Sequence, residues 1–287
     1  MQAPVTLRSS ELLCEIKPEL GGCISGLWWK GIPVLRSTVA QGLRSVRQSA
    51  SYPLVPYSNR VGNALLQWQG REYPLVRNWQ PDPHSIHGVG WERPWLVQEA
   101  TGTHAQLVYE HRSDDAWPFD FEASQTIRID ANALEMGVSI TNRCASVVPV
   151  GLGWHPYFVK RVDARVRFDA TGRWEMGDDK LPTHRAISTG VDGACASLEV
   201  DHCFDGWNGM VQLHDAELHV RMVSSLNHLV VYTTPERDTI AIEPVSHVNN
   251  AVNRMARGAD GMQDLGVRVL QPGDTFSATV RIEVEGA

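Results

Sequence analysis

The chain has 287 residues and a mass of 31.9 kDa, which allows one large domain or two ordinary ones. Hydrophobic residues make up 43% and charged residues 21%, close to the globular average, which excludes disorder and fibre. The 26 basic and 33 acidic residues leave a formal net charge of −7 without a basic stripe, so neither nucleic acid nor an anionic membrane is an expected partner.

In chain order, Met1 to Glu15 set Arg8, Glu11 and Glu15 among apolar positions, so no secretory signal is predicted. No stretch approaches the roughly 18 apolar residues of a membrane-spanning helix. Pro53 and Pro56 break the chain before Tyr57-Ser58-Asn59-Arg60-Val61-Gly62-Asn63. Phe119, Phe121, Ala123, Ile127 and Ile129 share one parity. Beyond Asp130-Ala131-Asn132, so do Leu134, Met136, Val138 and Ile140. Two alternating runs across a short polar turn predict an antiparallel hairpin with one buried face. The pattern returns at Val166 and Phe168, at Leu218-Val220-Met222, at Ile240-Ile242, and at Phe276-Ala278-Val280-Ile282-Val284. One short helix is expected at 251–256, with Asn249 or Asn250 as N-cap and Gly258 as stop. No linker or repeat divides the chain. The pattern predicts an all-β protein, one large antiparallel β-sandwich spanning 1–287.

Five widely spaced cysteines without a CxxC suggest neither a disulfide framework nor a zinc ribbon, and a cytoplasmic location is expected. There is no HExxH, Walker loop or GxSxG. Gly151-Leu152-Gly153 runs straight into Trp154-His155-Pro156 and is not a dinucleotide loop. His84 and His87 stand three apart without the further ligands that would complete a site, so no metal is expected.

The remaining polar residues sit in apolar or turn-rich surroundings. His155, in Trp154-His155-Pro156-Tyr157-Phe158, reads either as a core imidazole bonded to a carbonyl or as a proton donor. Ile240 and Ile242 share one strand face, so Ala241 and Glu243 point to the other. The small residue leaves space beside the carboxylate, which is either an exposed strand-end glutamate or a general base at the rim of a concave sheet. Asp201-His202-Cys203-Phe204-Asp205-Gly206-Trp207 and His87-Gly88-Val89-Gly90-Trp91 add carboxylates, a histidine and aromatics in turns. Rings that meet the C–H faces of a pyranose, with planar polar groups for its hydroxyls, suit an uncharged sugar.

Taken together, these segments resemble the aldose 1-epimerase (galactose mutarotase) family. The resemblance rests on Asn59-Arg60-Val61-Gly62-Asn63-Ala64 with Gly70 and Tyr73-Pro74-Leu75, then His87-Gly88, His155-Pro156-Tyr157-Phe158, Asp201-His202-Cys203-Phe204 and Glu243-Pro244, in the family's order. It implies a galactose mutarotase-like supersandwich with a concave sugar site and no cofactor. By the resemblance, Glu243 is the base that takes the anomeric hydroxyl proton and His155 the acid that protonates the ring oxygen. Arg60, His87 and Asp201 would hold the sugar's oxygens, with Asn59, Trp154 and Tyr157 around them. Trp91, Trp154 and Trp207, in or beside the motifs, suggest a strongly aromatic site.

The departures, Gly88-Val89-Gly90 after the first histidine, Trp154 before the second and Val245 to Asn250 after the carboxylate, lie around the site and bear on which sugar is bound. The expected activity is interconversion of α and β anomers of a free monosaccharide by a monomer or homodimer. Alternatives are a sugar-binding module without turnover and a glycoside hydrolase using Asp201 and Glu243. A third is a mutarotase for a phosphorylated or sulfonated sugar, for which Arg60, or Arg71, Arg77 or Arg93, would supply the cation.

Overall fold

A computed structural model of the chain describes residues 3–258 and 264–287. The predicted hairpin forms strands Phe121–Ile129 and Ala133–Asn142, in register from Phe121 opposite Asn142 to Ile129 opposite Leu134. Strand Thr275–Gly286 pairs with the second of these, and Leu218–Ser224 pairs with it in turn. Met210–His214, Arg165–Phe168 and Val191–Ala194 continue to one edge of this nine-stranded sheet; His104–His111 and Leu96–Ala100 form the other.

Strand Thr239–Val245 lies within an eight-stranded sheet. His228–Thr233, Val200–Asp205, Gly172–Met176 and Pro182–Ile187 follow on one side. On the other it pairs with Gly153–Trp154 and Tyr157–Val159, and Pro53–Leu54 closes that edge. A four-stranded antiparallel sheet precedes both in the chain, with outer strands Val5–Arg8 and Ile32–Pro33.

The two large sheets share one hydrophobic core. Ile127, Val138, Val280 and Ile282 of the nine-stranded sheet belong to the same buried cluster as Leu229, Val231, Ile240 and Ile242 of the eight-stranded one. Each such side chain contributes about 1.5–3 kcal/mol by leaving water. A second cluster, with Tyr52, Trp91, Trp174, Cys203 and Val230, backs the opposite face of the eight-stranded sheet. The result is an all-β sandwich whose second sheet is covered on both faces.

The helix runs Ala251–Arg257. Asn250 is its N-cap residue, but in a left-handed conformation (φ 56°), and its side chain makes no cap bond. Its Oδ1 instead accepts the N–H of Gly62 at 3.0 Å, which ties the helix start to the arginine-bearing turn. Gly258 closes the helix as expected, donating its N–H to the carbonyls of Arg254 and Met255. The five cysteines are free thiols. Among the described residues no helix is long and apolar enough to cross a membrane.

Candidate active site

The eight-stranded sheet turns its outer face to a cleft of about 660 Å³, within the range of roughly 300–1,000 Å³ that suits small molecules. Side-chain parity on strand Thr239–Val245 decides what faces it. Ile240 and Ile242 are 0% and 1% exposed in the core between the sheets, so Ala241 and Glu243 face the other way. Glu243 lies at the cleft floor with 2% of its surface exposed, and its Oε2 has no hydrogen-bond partner among the described residues. Burial pushes its carboxyl well above the usual range; repulsion from Asp201 adds to this and Arg60 opposes it.

His155 reaches the same floor from the neighbouring segment. Its backbone N–H donates to the Tyr52 carbonyl at 3.0 Å, and its Nε2 stands 3.2 Å from Glu243 Oε1. Tyr157 stacks on the imidazole at 4.4 Å and Tyr52 packs tilted at 4.8 Å, while His87 meets it edge-on at 5.2 Å. This cage fixes the ring and excludes water. Desolvation therefore holds His155 well below its ordinary value, helped by the positive charge of Arg36.

His87 and Asn59 hold each other through main chain and side chain. Both occupy left-handed backbone conformations, φ 62° and 56°. The Asn59 N–H donates to His87 Nδ1 at 3.1 Å, and the His87 N–H donates to the Asn59 carbonyl at 2.8 Å. With Nδ1 accepting, the ring proton sits on Nε2. Desolvation and the Arg60 charge hold this imidazole down to about 3, so at neutral pH it is an uncharged donor rather than an acid. Gly88 makes the turn possible: its φ is 69°, and a Cβ there would lie 2.4 Å from the Val55 carbonyl oxygen.

Arg60 is oriented by two neighbours. Its Nε donates to Asp82 Oδ2 at 2.9 Å and its Nη1 to Asn59 Oδ1 at 3.3 Å. Asp201 lines the far side of the cleft with its side chain 38% exposed, 3.7 Å from Lys180. The cleft thus brings together Glu243, His155, His87, Arg60, Asn59, Asp201 and Tyr157 from segments spread over residues 59 to 243.

Trp154 and Trp207 are not among them. Successive strand residues face opposite ways, so with His155 in the cleft the Trp154 indole enters the core between the sheets, where it is 1% exposed. Trp207 belongs to the same core and donates to the Met210 carbonyl at 2.8 Å. Of the three, Trp91 alone packs near the site, beneath Tyr52 and His87. His84 is structural: its Nδ1 accepts the Asn63 N–H and its Nε2 meets the Asp179 carbonyl. Arg71, Arg77 and Arg93 do not line the cleft; Arg93 pairs with Asp114 elsewhere.

Arg36, Arg47, Tyr52, Trp79, Lys180 and Arg237 do line it, and sequence reasoning passed over them. They come from loops and strand ends without an alternating pattern. For Tyr52 alone there was a signal, its place beside the Pro53 and Pro56 breaks.

The family model for aldose 1-epimerase matches residues 5–283. The chain is 28% identical over 299 aligned residues to the uncharacterized protein YphB of Escherichia coli (strain K12), covering 98% of each. A crystal structure of a putative aldose 1-epimerase from Escherichia coli K12 superposes with a TM-score of 0.88 at 26% identity, covering 99% of both chains. A galactose 1-epimerase from Lactobacillus acidophilus NCFM shares the fold, with a TM-score of 0.78 at 15% identity over 98% of this chain and 94% of that one. With its fold, the order of its motifs and a family match over nearly its whole length, the chain belongs to the aldose 1-epimerase family.

Proposed function

We propose that the protein interconverts the α and β anomers of a free aldose, with Glu243 as base and His155 as acid. The observation that carries this reading is the 3.2 Å approach of Glu243 Oε1 to His155 Nε2 at the floor of the cleft. The anomeric hydroxyl and the ring oxygen are bonded to the same carbon, so an acid and a base that serve both must lie close together. Each must also come within about 2.6–3.2 Å of its oxygen.

In the forward step Glu243 takes the anomeric hydroxyl proton while His155 delivers one to the ring oxygen. The bond between the anomeric carbon and the ring oxygen breaks and an open-chain aldehyde forms. Rotation about the bond to the next carbon presents the other carbonyl face, and the reverse transfers close the ring. The step starts from the arrangement with Glu243 ionised and His155 protonated, 3.2 Å apart; opening passes the pair to its uncharged arrangement, the one burial favours, and closing reverses this, so the pair carries one proton throughout. The uncharged His87 Nε2–H and the guanidinium of Arg60 donate to the sugar's oxygens and hold the ring over the pair. Asp201 accepts from hydroxyls at the far side, and Asn59 and Tyr157 fix the groups that touch the substrate.

Exchange spectroscopy by NMR on α- and β-aldoses tests the proposal. The expected result is exchange accelerated above the buffer rate in proportion to protein concentration. Sugar binding without acceleration would make the protein a binding module, and release of sugar from aryl glycosides would make it a hydrolase.

A further inference from the structure

The cations of the cleft are not equivalent. Arg60 is paired with Asp82 and Lys180 stands near Asp201. Arg36, Arg47 and Arg237 have no carboxylate within ion-pair distance among the described residues; Arg47 sits over the Trp79 ring, and Arg36 and Arg237 each sit over a tyrosine ring. The Arg36 guanidinium sits 3.8 Å from the centre of the Tyr157 ring, and that of Arg237 sits 4.4 Å from the centre of the Tyr232 ring.

Sheet register shows what lies between them. Leu35 bridges Phe158, and the Arg36 N–H donates to the Tyr157 carbonyl at 2.8 Å, which sets Arg36 beside Tyr157. Tyr157 is opposite Ala241, Ala241 opposite Tyr232, and Tyr232 opposite Asp201. Residues opposite one another across an antiparallel ladder share a face. The two tyrosines therefore flank Ala241, two strand spacings or about 10 Å apart, each carrying its arginine. Ala241 itself is 1% exposed and does not line the cleft, whereas Arg36, Tyr157, Tyr232 and Arg237 all do. Glu243 is two residues along the same strand on the same face, about 7 Å away, a distance comparable with the breadth of a pyranose plus its exocyclic carbon.

We propose that the part of the cleft between Arg36 and Arg237 is a subsite for an anionic group on the sugar carbon farthest from the anomeric centre. The substrate class is an aldose bearing a phosphate, sulfonate or carboxylate there. Arg36 already spends its Nε and Nη2 on the carbonyls of Arg47 and Ser49, which fixes the guanidinium and leaves Nη1 to donate. Arg237 is exposed in the turn after Tyr232 and closes on the anion from the other side. Planar guanidinium groups are the donors best matched to such oxyanions. In a chain of net charge −7, two arginines without acidic partners at one end of a sugar-sized cleft have a ligand's charge to answer.

This inference rests on the anomerase reading, and the test separates the two. Anomer exchange is measured on neutral glucose and galactose and on hexose 6-phosphate, hexuronate and 6-sulfonated hexose, at low and high ionic strength. The expected result is a higher kcat/KM for at least one anionic sugar, by a factor on the order of 10–100, the worth of one or two charge-assisted hydrogen bonds. Which anion wins distinguishes phosphate from sulfonate and carboxylate. The preference should shrink with added salt, and Arg36→Gln or Arg237→Gln should cut the anionic-to-neutral ratio by about tenfold each. Arg36 also anchors two carbonyls, so if its variant fails to fold, Arg237→Gln and the salt dependence of the native protein carry the test. Neutral sugars exchanged as fast as anionic ones, or a ratio untouched by Arg237→Gln, overturn the subsite and leave the anomerase reading standing. No acceleration with any sugar overturns both.

Discussion

Two strands of this molecule treat charge in opposite ways. Thr275–Gly286 of the nine-stranded sheet alternates, with Ala278, Val280, Ile282 and Val284 buried and Arg281 facing out. Arg281 is surrounded by carboxylates, Asp130 at 3.2 Å, Glu283 at 2.9 Å and Glu135. Thr239–Val245 of the eight-stranded sheet is buried at every position, and its charge-bearing residue, Glu243, has a histidine beside it and a repelling Asp201 beyond. On the outer strand the ionised groups are solvated and mutually compensated. On the cleft strand a carboxylate is desolvated without a compensating cation in contact, a cost that the proposed role of Glu243 as base accounts for.

The largest effect expected from this contrast is at Glu243. Glu243→Gln keeps shape and removes the proposed base, so anomer exchange should fall by a factor on the order of 10²–10⁴. The melting temperature should not fall, because an amide escapes the desolvation that burial imposes on a carboxylate. Parallel exchange and calorimetry measurements check both halves. A variant that unfolds more easily yet keeps its rate would make Glu243 a structural residue and erase the distinction between the strands.

A second effect is in the pH profile. In the proposed mechanism the Glu243–His155 pair carries one proton, and its two limbs belong to the pair as a whole. Adding a second proton puts a charge on caged His155, which burial disfavours, so the acid limb lies below the ordinary histidine value of 6.5. Removing the last proton leaves Glu243 ionised in the same cage, so the alkaline limb lies above the ordinary carboxylate value of 4.5. The kcat/KM profile should therefore be bell-shaped, with the plateau extending to the acid side of 6.5. An acid midpoint at or above that value would mean that the imidazole titrates as if in water, and the cage of Tyr52 and Tyr157 would lose its meaning.

The same contrast explains which features could be read from the residues. On the outer sheet, one face is wet and one is dry, so Phe121 to Ile140 spelled out their strands and turn, and the register followed. On the cleft strand, parity still placed Ile242 inward and Glu243 outward, because neighbours alternate whatever covers them. Parity also excludes Trp154 from a cleft that holds His155. A strand is two-sided, so two adjacent residues of the motif do not both reach one cleft. Asn250 was legible as a helix start but not in its chemistry, since its amide serves Gly62 across the fold. Arg36 and Arg237 were not legible at all. Each enters the cleft through a bridge or turn whose position is set by strands far away in sequence, Tyr157 and Tyr232 among them.

The smallest expected effect is at Arg281, and it makes the contrast quantitative. Arg281→Gln removes the cation from among Asp130, Glu135 and Glu283, yet those side chains are between 30% and 55% exposed and water screens them. Arg221 still holds Glu283 at 3.0 Å. Partly exposed pairs are worth about 0–1 kcal/mol, and a network of this exposure belongs near the top of that range. Denaturant titration should find a loss of about that size, shrinking with added salt, and exchange kinetics should be unchanged. A loss of more than about 2 kcal/mol would show the outer network to be as consequential as a buried pair. A lower exchange rate in a fully folded variant would couple the two sheets electrostatically, and solvation alone would no longer separate the outer strand from the cleft strand.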